Sequence, residues 1–314
     1  MIITSSILFI LGCVLLYYGS EYLIDHSIIA SKRFNVSPIV VGATVIALGT
    51  SLPELLVSIY SILFIDGSNQ SSGIIIGNIL GSNIANISLV LGYCALIYSI
   101  VLKDNLNHDF LFIFILGIYT LICLQFKITI NYIHGLILIL SFFYYLLRLI
   151  KHNKISESQE YGDQNTNIYF NLMVIFFSIT SMLVGSHLVV ENATELAKIF
   201  KINTLTIGIT IIALGTSLPE LFTGIISVKK KQYNLFIGNI VGSNILNIVF
   251  VLGLTSIFND ITPEVSQNQL LYISIAFVVS HLILIVSYVC KNKVSKISGF
   301  LLVLLYIIFL YNIF

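Results

Sequence analysis

One octapeptide occurs twice in this chain without change, as Ala47-Leu48-Gly49-Thr50-Ser51-Leu52-Pro53-Glu54 and as Ala213-Leu214-Gly215-Thr216-Ser217-Leu218-Pro219-Glu220. Each copy sets a proline and a carboxylate inside an apolar run, where a helix bond is lost and a charge is costly. The duplication extends on both sides. Gly19-Ser20 aligns with Gly185-Ser186, and Gly42-x-Thr44 with Gly208-x-Thr210. Gly77-Asn78-Ile79 and Gly81-Ser82-Asn83-Ile84-x-Asn86-Ile87 recur as Gly238-Asn239-Ile240 and Gly242-Ser243-Asn244-Ile245-x-Asn247-Ile248. A repeat of this length means two related halves.

The solvent of those halves is a bilayer. The chain is 57% apolar and 9% charged, with no tryptophan and a mean hydropathy of +1.01. A helical span needs about 20 apolar residues. Such runs lie at roughly 3–24, 37–64, 73–98, 108–125, 129–150, 168–190, 203–228, 234–257, 268–290 and 296–313. The expected fold is an all-α polytopic membrane protein of ten transmembrane helices. The first run has no basic flank or small-residue cleavage site, so it is expected to be retained as a helix.

Basic residues orient the spans. Lys32, Arg33, Lys103, Arg148, Lys151, Lys154, Lys229, Lys230, Lys231, Lys291, Lys293 and Lys296 fall in alternate connections, against Lys127, Lys198 and Lys201 on the other side. That asymmetry puts the first set in the cytoplasm and both termini outside, in a cell membrane. The Lys229–Lys231 triple reads as a basic cytoplasmic loop. Cys13, Cys94, Cys123 and Cys290 show neither metal-ligand nor disulfide spacing and read as small core residues. His187, inside the sixth run, is expected to pack between helices.

Each half holds five spans, with its motifs on the second and third. Five is odd, so the second half enters from the opposite side and the repeats are inverted; such folds place the substrate near midplane at their interface. The first repeat is read as 1–151 and the second as 168–314. Residues 152–167, rich in Ser, Asn, Gln and Glu, are a cytoplasmic linker.

Glu54 has no basic neighbour nearer than Lys32 or Arg33, and no lysine or arginine falls at midplane. Its counter-charge is a mobile cation or a proton. Pro53 and Pro219 are two of four prolines, and each frees the carbonyl four residues earlier, Gly49 or Gly215. Ala47, Thr50, Ser51 and Glu54 follow i, i+3, i+4, i+7 spacing and so share a helix face, offering a carbonyl, two hydroxyls and a carboxylate. Ser82 and Asn86 add a hydroxyl and an amide oxygen. With the second-half equivalents this is a cage of hard oxygen ligands, suited to calcium or sodium. Plainer readings exist for single parts. Thr-Ser-Leu-Pro fits a structural kink, Gly77-x-x-x-Gly81 and Gly238-x-x-x-Gly242 fit close helix packing, and Asn86 and Asn247 fit interhelical bonding. Glu21, Asp25, Glu191 and Glu195, near span ends, are expected to be solvated. Recurrence of all the motifs in register is what a purely structural reading leaves unexplained.

These motifs resemble the two alpha repeats of the calcium/cation antiporter superfamily, most closely its prokaryotic sodium/calcium exchanger branch, over nearly the whole chain. The resemblance implies exchange of Ca2+ for Na+ by alternating access, the first and sixth spans sliding against the other eight. It implies that Glu54 and Glu220 are the central carboxylates and that Thr50, Ser51, Thr216 and Ser217 are hydroxyl ligands. Ala47 and Ala213 would supply carbonyls, Ser82 and Ser243 flanking sodium ligands, and Asn86 the first-half amide. Asn247 departs from the pattern, since many prokaryotic and potassium-dependent members carry Asp there; this argues against potassium co-transport. Three Na+ per Ca2+ would move one net charge per cycle.

Proton/calcium antiport by the same two glutamates is the nearest alternative, and a cation channel another. An enzyme would need a nucleophile or hydrolytic metal constellation, which oxygen ligands of this kind do not make. No cofactor, nucleic acid or obligatory protein partner is indicated; the partners are the lipid bilayer and the transported Ca2+ and Na+.

Overall fold

In a bilayer, runs of Ile, Leu and Phe can satisfy their backbone groups internally as helices, and helices dominate this chain. The computed structural model describes residues 2–64, 68–102, 106–152, 167–199, 213–262 and 265–313. Helix α1 (Ile2–Arg33) leads to α2 (Pro38–Thr50), α3 (Leu52–Phe64), α4 (Ser68–Ala85) and α5 (Gly92–Ile97), followed by α6 (Asn107–Gln125) and α7 (Tyr132–His152). The second half repeats the succession with α8 (Ile168–Ile199), α9 (Ala213–Thr216), α10 (Leu218–Lys229), α11 (Tyr233–Leu246) and α12 (Gly253–Phe258). It closes with α13 (Gln267–Lys291) and α14 (Lys296–Ile313). Among the described residues, three π-helical stretches interrupt these elements: Gly42–Ile46 inside α2, Asn86–Leu91 between α4 and α5, and Asn247–Leu252 between α11 and α12.

Among the described residues, seven helical stretches are long and apolar enough to cross a membrane, and the bent pair α2–α3 makes an eighth. Apolar Lys296–Asn312 is shorter, and part of the run expected at 203–228 lies outside the described residues. The linker expected at 152–167 falls almost wholly outside them too. Burial separates centre from rim: 94% of the Tyr233–Phe258 window lies inside the protein and 72% of Ser71–Ile97, against 22% for Ile2–Arg33 and Tyr132–Lys151. The motif-bearing helices are the core, and α1 and α7 turn mostly to lipid.

Equivalent helices run antiparallel. A Cβ on Gly12 would come within 2.8 Å of the Gly185 carbonyl, and one on Gly185 within 2.8 Å of the Gly12 carbonyl, while Gly19 packs on Ser178 and Met182. Nearer the other end of α1, His26 Nδ1 and Asn171 Oδ1 lie 2.6 Å apart and Asn171 Nδ2 donates to the His26 carbonyl at 3.1 Å. The contacts descend α8 as they climb α1. The halves also trade matching contacts: Gly92 abuts Gly299 as Gly253 abuts Gly135. Strands β1 (Ile100–Val101) and β2 (Lys293–Val294) pair antiparallel, and Ile130 bridges Ile261 in the corresponding place. In the second half the small-residue pattern does pack tightly. A Cβ on Gly238 would meet the Ile39 carbonyl at 2.3 Å, and one on Gly242 the Ala43 backbone at 2.5 Å.

Three outlying expectations change. Glu21 and Asp25 are not simply solvated: Lys230 reaches them at 3.8 and 2.5 Å, because the end of α10 lies beside α1. His187 is exposed rather than packed, and pairs with Glu191 one turn on at 3.4 Å. Cys94 and Cys123 are buried as expected, but Cys290 is exposed.

Candidate functional site

The octapeptide does not form a continuous helix with a kink; it ends one helix and begins another. Pro53 and Pro219 lack the N–H that would continue the ladder and their rings crowd the preceding turn. Ser51 and Ser217 accordingly adopt φ −87°, ψ 4° and φ −89°, ψ 4°, and the axes of α2 and α3 differ by 42°. Identical sequence produces identical backbone. Glu54 and Glu220 therefore sit in the first turns of α3 and α10, where the unpaired N–H groups of a helix start favour negative charge. The shared helix face read from i, i+3, i+4, i+7 spacing is replaced by a break that still buries Thr50, Ser51 and Glu54.

The expected ligands converge on the centre of the protein. Glu54 and Glu220 are fully buried, within electrostatic range of each other. Ser82 faces the Glu54 carboxylate, while Thr50 and Ser243 face Glu220. Thr50 crosses between halves, its Oγ1 lying 3.2 Å from Asn239 Oδ1 and 3.2 Å from Ser243 Oγ. Asn86 Nδ2 donates to Asn244 Oδ1 at 3.4 Å, and Asn247 Nδ2 to Asn83 Oδ1 at 3.0 Å. Residue numbers rise on α4 as they fall on α11, so these helices also cross antiparallel. Both amides spend their N–H on the opposite half and keep their oxygens. Thr216, Ser217, Ser82 and Ser243 are buried nearby in the same motifs.

Thirteen buried side-chain atoms find no hydrogen-bond partner among the described residues. Eight are site oxygens, in matched sets: Ser51 and Ser217 Oγ, both carboxylate oxygens of Glu54 and Glu220, and Asn86 and Asn247 Oδ1. An orphaned buried acceptor costs about 1–3 kcal/mol. Six residues in matched motifs share that cost: four contribute carboxylate or amide acceptor oxygens and the two serine hydroxyls can present a lone pair, a set that suits a cation or a proton.

The backbone ligands are less clear-cut. The Ala47 carbonyl already accepts the Ser51 N–H at 2.9 Å and the Thr50 hydroxyl at 3.3 Å. Ala213 opens α9, beside residues 200–212 outside the described set. The Gly215 carbonyl, expected to be freed by Pro219, accepts a 2.7 Å bond from Ser186 on α8. Sequence reasoning also passed over the residues that brace the site. Asn78 Nδ2 donates to the Glu54 carbonyl at 2.9 Å and to Ser58 Oγ at 3.1 Å. Asn239 Nδ2 donates to Thr223 Oγ1 at 3.1 Å, and Asn83 Nδ2 to the Asn244 carbonyl at 3.1 Å. All four asparagines belong to the repeat, and a buried repeated amide was the available signal. The π-helical stretches open at Asn86 and Asn247 themselves; such extra-residue turns often mark functional sites.

Comparison with known proteins gives a consistent picture. The family model described as sodium/calcium exchanger protein matches residues 4–151 and 170–314. An uncharacterized membrane protein of Methanocaldococcus jannaschii is 35% identical over 304 residues, 96% of this chain and 95% of that one. Sodium/calcium exchanger MaX1 of Methanosarcina acetivorans is 26% identical across 100% of this chain and 99% of its own. The solved structure of the sodium-calcium exchanger NCX_Mj, soaked with 10 mM Na+ and zero Ca2+, superposes with a TM-score of 0.85. It is 32% identical and fully covered, as is this chain.

Proposed function

The chain belongs to the sodium/calcium exchanger protein family, and from that premise we propose that it exchanges Ca2+ for Na+ across the cell membrane by alternating access at one shared midplane site. The carrying observation is the symmetric set of orphaned buried oxygens on Glu54, Glu220, Ser51, Ser217, Asn86 and Asn247. Two carboxylates balance one Ca2+. Several Na+ could use the same oxygens, but both loads together would repel strongly, and mutual exclusion at one site is what makes a two-state carrier an antiporter.

Ten spans in two inverted five-helix repeats, 1–151 and 168–314 joined by 152–167, with both termini outside, complete the proposed architecture. The antiparallel pairings of α1 with α8 and α4 with α11, and the traded Gly92–Gly299 and Gly253–Gly135 contacts, support it. Paired along their length, with glycines letting them pack closely on each other, α1 and α8 form the body that would slide. Glu54 and Glu220 are the proposed central ligands, Thr50, Thr216, Ser82 and Ser243 the flanking hydroxyls, and Ala47 and Ala213 the carbonyls that join in the loaded state. A net charge moved per cycle would make transport respond to voltage by about 2.3 kcal/mol per 100 mV.

Calcium-45 uptake into vesicles, with sodium, proton and potassium gradients imposed separately, tests the reading. Uptake should follow an outward sodium gradient and persist without potassium, the latter because Asn247 takes the place of an acid. Uptake driven by a proton gradient without sodium would replace it with proton/calcium antiport. Conductive flux without a counter-ion would replace it with a channel.

A further inference from the structure

Glutamate and asparagine face different problems as cation ligands. A carboxylate presents an oxygen whichever way it turns, so Glu54 and Glu220 need only be placed. A carboxamide carries one oxygen and one NH2, and the wrong end repels the ion. Asn86 and Asn247 are both fully buried, so neighbouring groups must decide which end of each faces the site.

For Asn247 that decision runs through a chain of three groups. Asn247 Nδ2 donates to Asn83 Oδ1 at 3.0 Å, which turns the Asn247 oxygen away from Asn83. Asn83 has two unlike ends of its own, and either could have met Asn247. Its Nδ2, however, donates to the Asn244 main-chain carbonyl at 3.1 Å, and a carbonyl only accepts. The carbonyl therefore fixes the direction of Asn83, and Asn83 fixes the direction of Asn247. At the end of the chain, Asn247 Oδ1 finds no hydrogen-bond partner among the described residues. Asn83 is fully buried with both ends of its amide engaged, so it acts through Asn247 and not on the ion.

The matching chain in the other half is not anchored in the same way. Asn86 Nδ2 reaches Asn244 Oδ1 at a longer 3.4 Å. Asn244 Nδ2, the counterpart of the Asn83 group on the carbonyl, has no partner among the described residues. Direction is imposed firmly on Asn247 and loosely on Asn86.

We propose that Asn83 is the positioning residue that makes the Asn247 amide a cation ligand, accepting its N–H from a side chain whose own direction the Asn244 carbonyl sets. This rests on the cation site of the exchange reading and assigns Asn83 no contact with the ion. A plain brace between α4 and α11 would be needed whatever stood at 247. A positioning residue matters only while residue 247 has two unlike ends.

That distinction sets the experiment, equilibrium calcium-45 binding to the purified full chain, read as a double-mutant cycle. Asn83→Leu, similar in volume and without an acceptor, should raise the calcium Kd about tenfold, the worth of one neutral hydrogen bond. In an Asn247→Asp background both ends of residue 247 are oxygen, and the same substitution should raise Kd by no more than about twofold. Asn83→Asp keeps an oxygen opposite Asn247 whether ionised or protonated, and should recover Kd to within about threefold of the unsubstituted chain. An equal loss in the two backgrounds, or a loss in Asn83→Asp as large as in Asn83→Leu, would make Asn83 a brace and overturn the proposal. An unchanged Kd in Asn83→Leu would overturn it as well. Asn83→Ala removes the same acceptor without bulk and carries the same cycle should the leucine variants fail to reach the membrane. Binding is read without a gradient, so sodium-driven uptake by the unsubstituted chain in vesicles reports separately on the exchange reading.

Discussion

Around Glu54 the bracing comes from the neighbouring helix: Asn78 donates to the Glu54 carbonyl at 2.9 Å and to Ser58 at 3.1 Å. Around Glu220 it comes from the same helix, where the Thr223 hydroxyl reaches the Pro219 and Glu220 carbonyls at 2.8 and 3.1 Å and Asn239 secures Thr223. Ser186 caps the Gly215 carbonyl, whereas the hydroxyl of Ser20, its counterpart on α1, has no partner among the described residues. Thr50 joins the second half through Asn239 and Ser243. Two copies of one octapeptide thus share a backbone and differ in several of the bonds that brace it. The difference originates in positions outside the repeat, such as Ser58, which corresponds to Gly224, and Val57, which corresponds to Thr223. On the proposed mechanism this inequivalence is required: a carrier built from matching halves can open to one side only if the halves are arranged differently at that moment.

The largest effect should come where the halves are most alike. Glu54→Gln and Glu220→Gln each remove half of the charge facing a divalent ion, a loss of several kcal/mol in a buried setting. Sodium-driven calcium uptake should fall by at least about a hundredfold in both, and by similar amounts. Wild-type-like flux in either variant would remove the central claim; a large difference between them would show that one acid alone carries the ion.

The amides come next. Asn86→Ala and Asn247→Ala each lose an oxygen that faces the site and a hydrogen bond to the opposite half, together about 2 kcal/mol. Calcium uptake at limiting calcium should drop roughly thirtyfold in each. Because the bonds they lose measure 3.4 and 3.0 Å, Asn247→Ala should also lower thermal stability more than Asn86→Ala, and the reverse order would contradict that assignment. Thr50→Val tests the cross-half hydroxyl. It is nearly isosteric and removes bonds to Asn239 and Ser243 worth about 1–1.5 kcal/mol, so uptake should fall roughly tenfold with the fold intact.

How far the sequence could be read follows the same division. The octapeptides, the Asn86/Asn247 pair and the serines all lie where repetition pointed, because a buried polar group repeated in register has few structural excuses. The long helices are legible from apolar runs, but the i, i+3, i+4, i+7 spacing implies one shared helix face where the structure breaks at Ser51, since periodicity alone does not register the loss of one N–H. The π-helical stretches were invisible for a related reason: an extra residue in one turn leaves a run that is apolar on all sides unchanged. Asn78, Asn83, Asn239 and Asn244 are repeated letters in the sequence, and repetition alone does not mark them as braces. Their partners lie across the helix interfaces, and the reach of Lys230 to Asp25 likewise depends on where two distant helices meet.

The smallest effect bears most directly on the comparison. Removing the Ser186 hydroxyl leaves the Gly215 carbonyl without its side-chain donor, a cost of about 1 kcal/mol borne only by the arrangement described here. Ser20→Ala removes a hydroxyl that has no partner in this arrangement, so here it costs almost nothing. If the halves exchange roles during transport, Ser20 takes up the matching bond to the Gly49 carbonyl in the opposite state. The two substitutions should then shift the same equilibrium in opposite directions, each by about fivefold. Apparent calcium affinities measured from the two faces of oriented vesicles read that shift: their ratio should move one way in Ser186→Ala and the other way in Ser20→Ala. Shifts of the same sign would mean that the Ser186 bond is a fixed feature of the second half and takes no part in the switch.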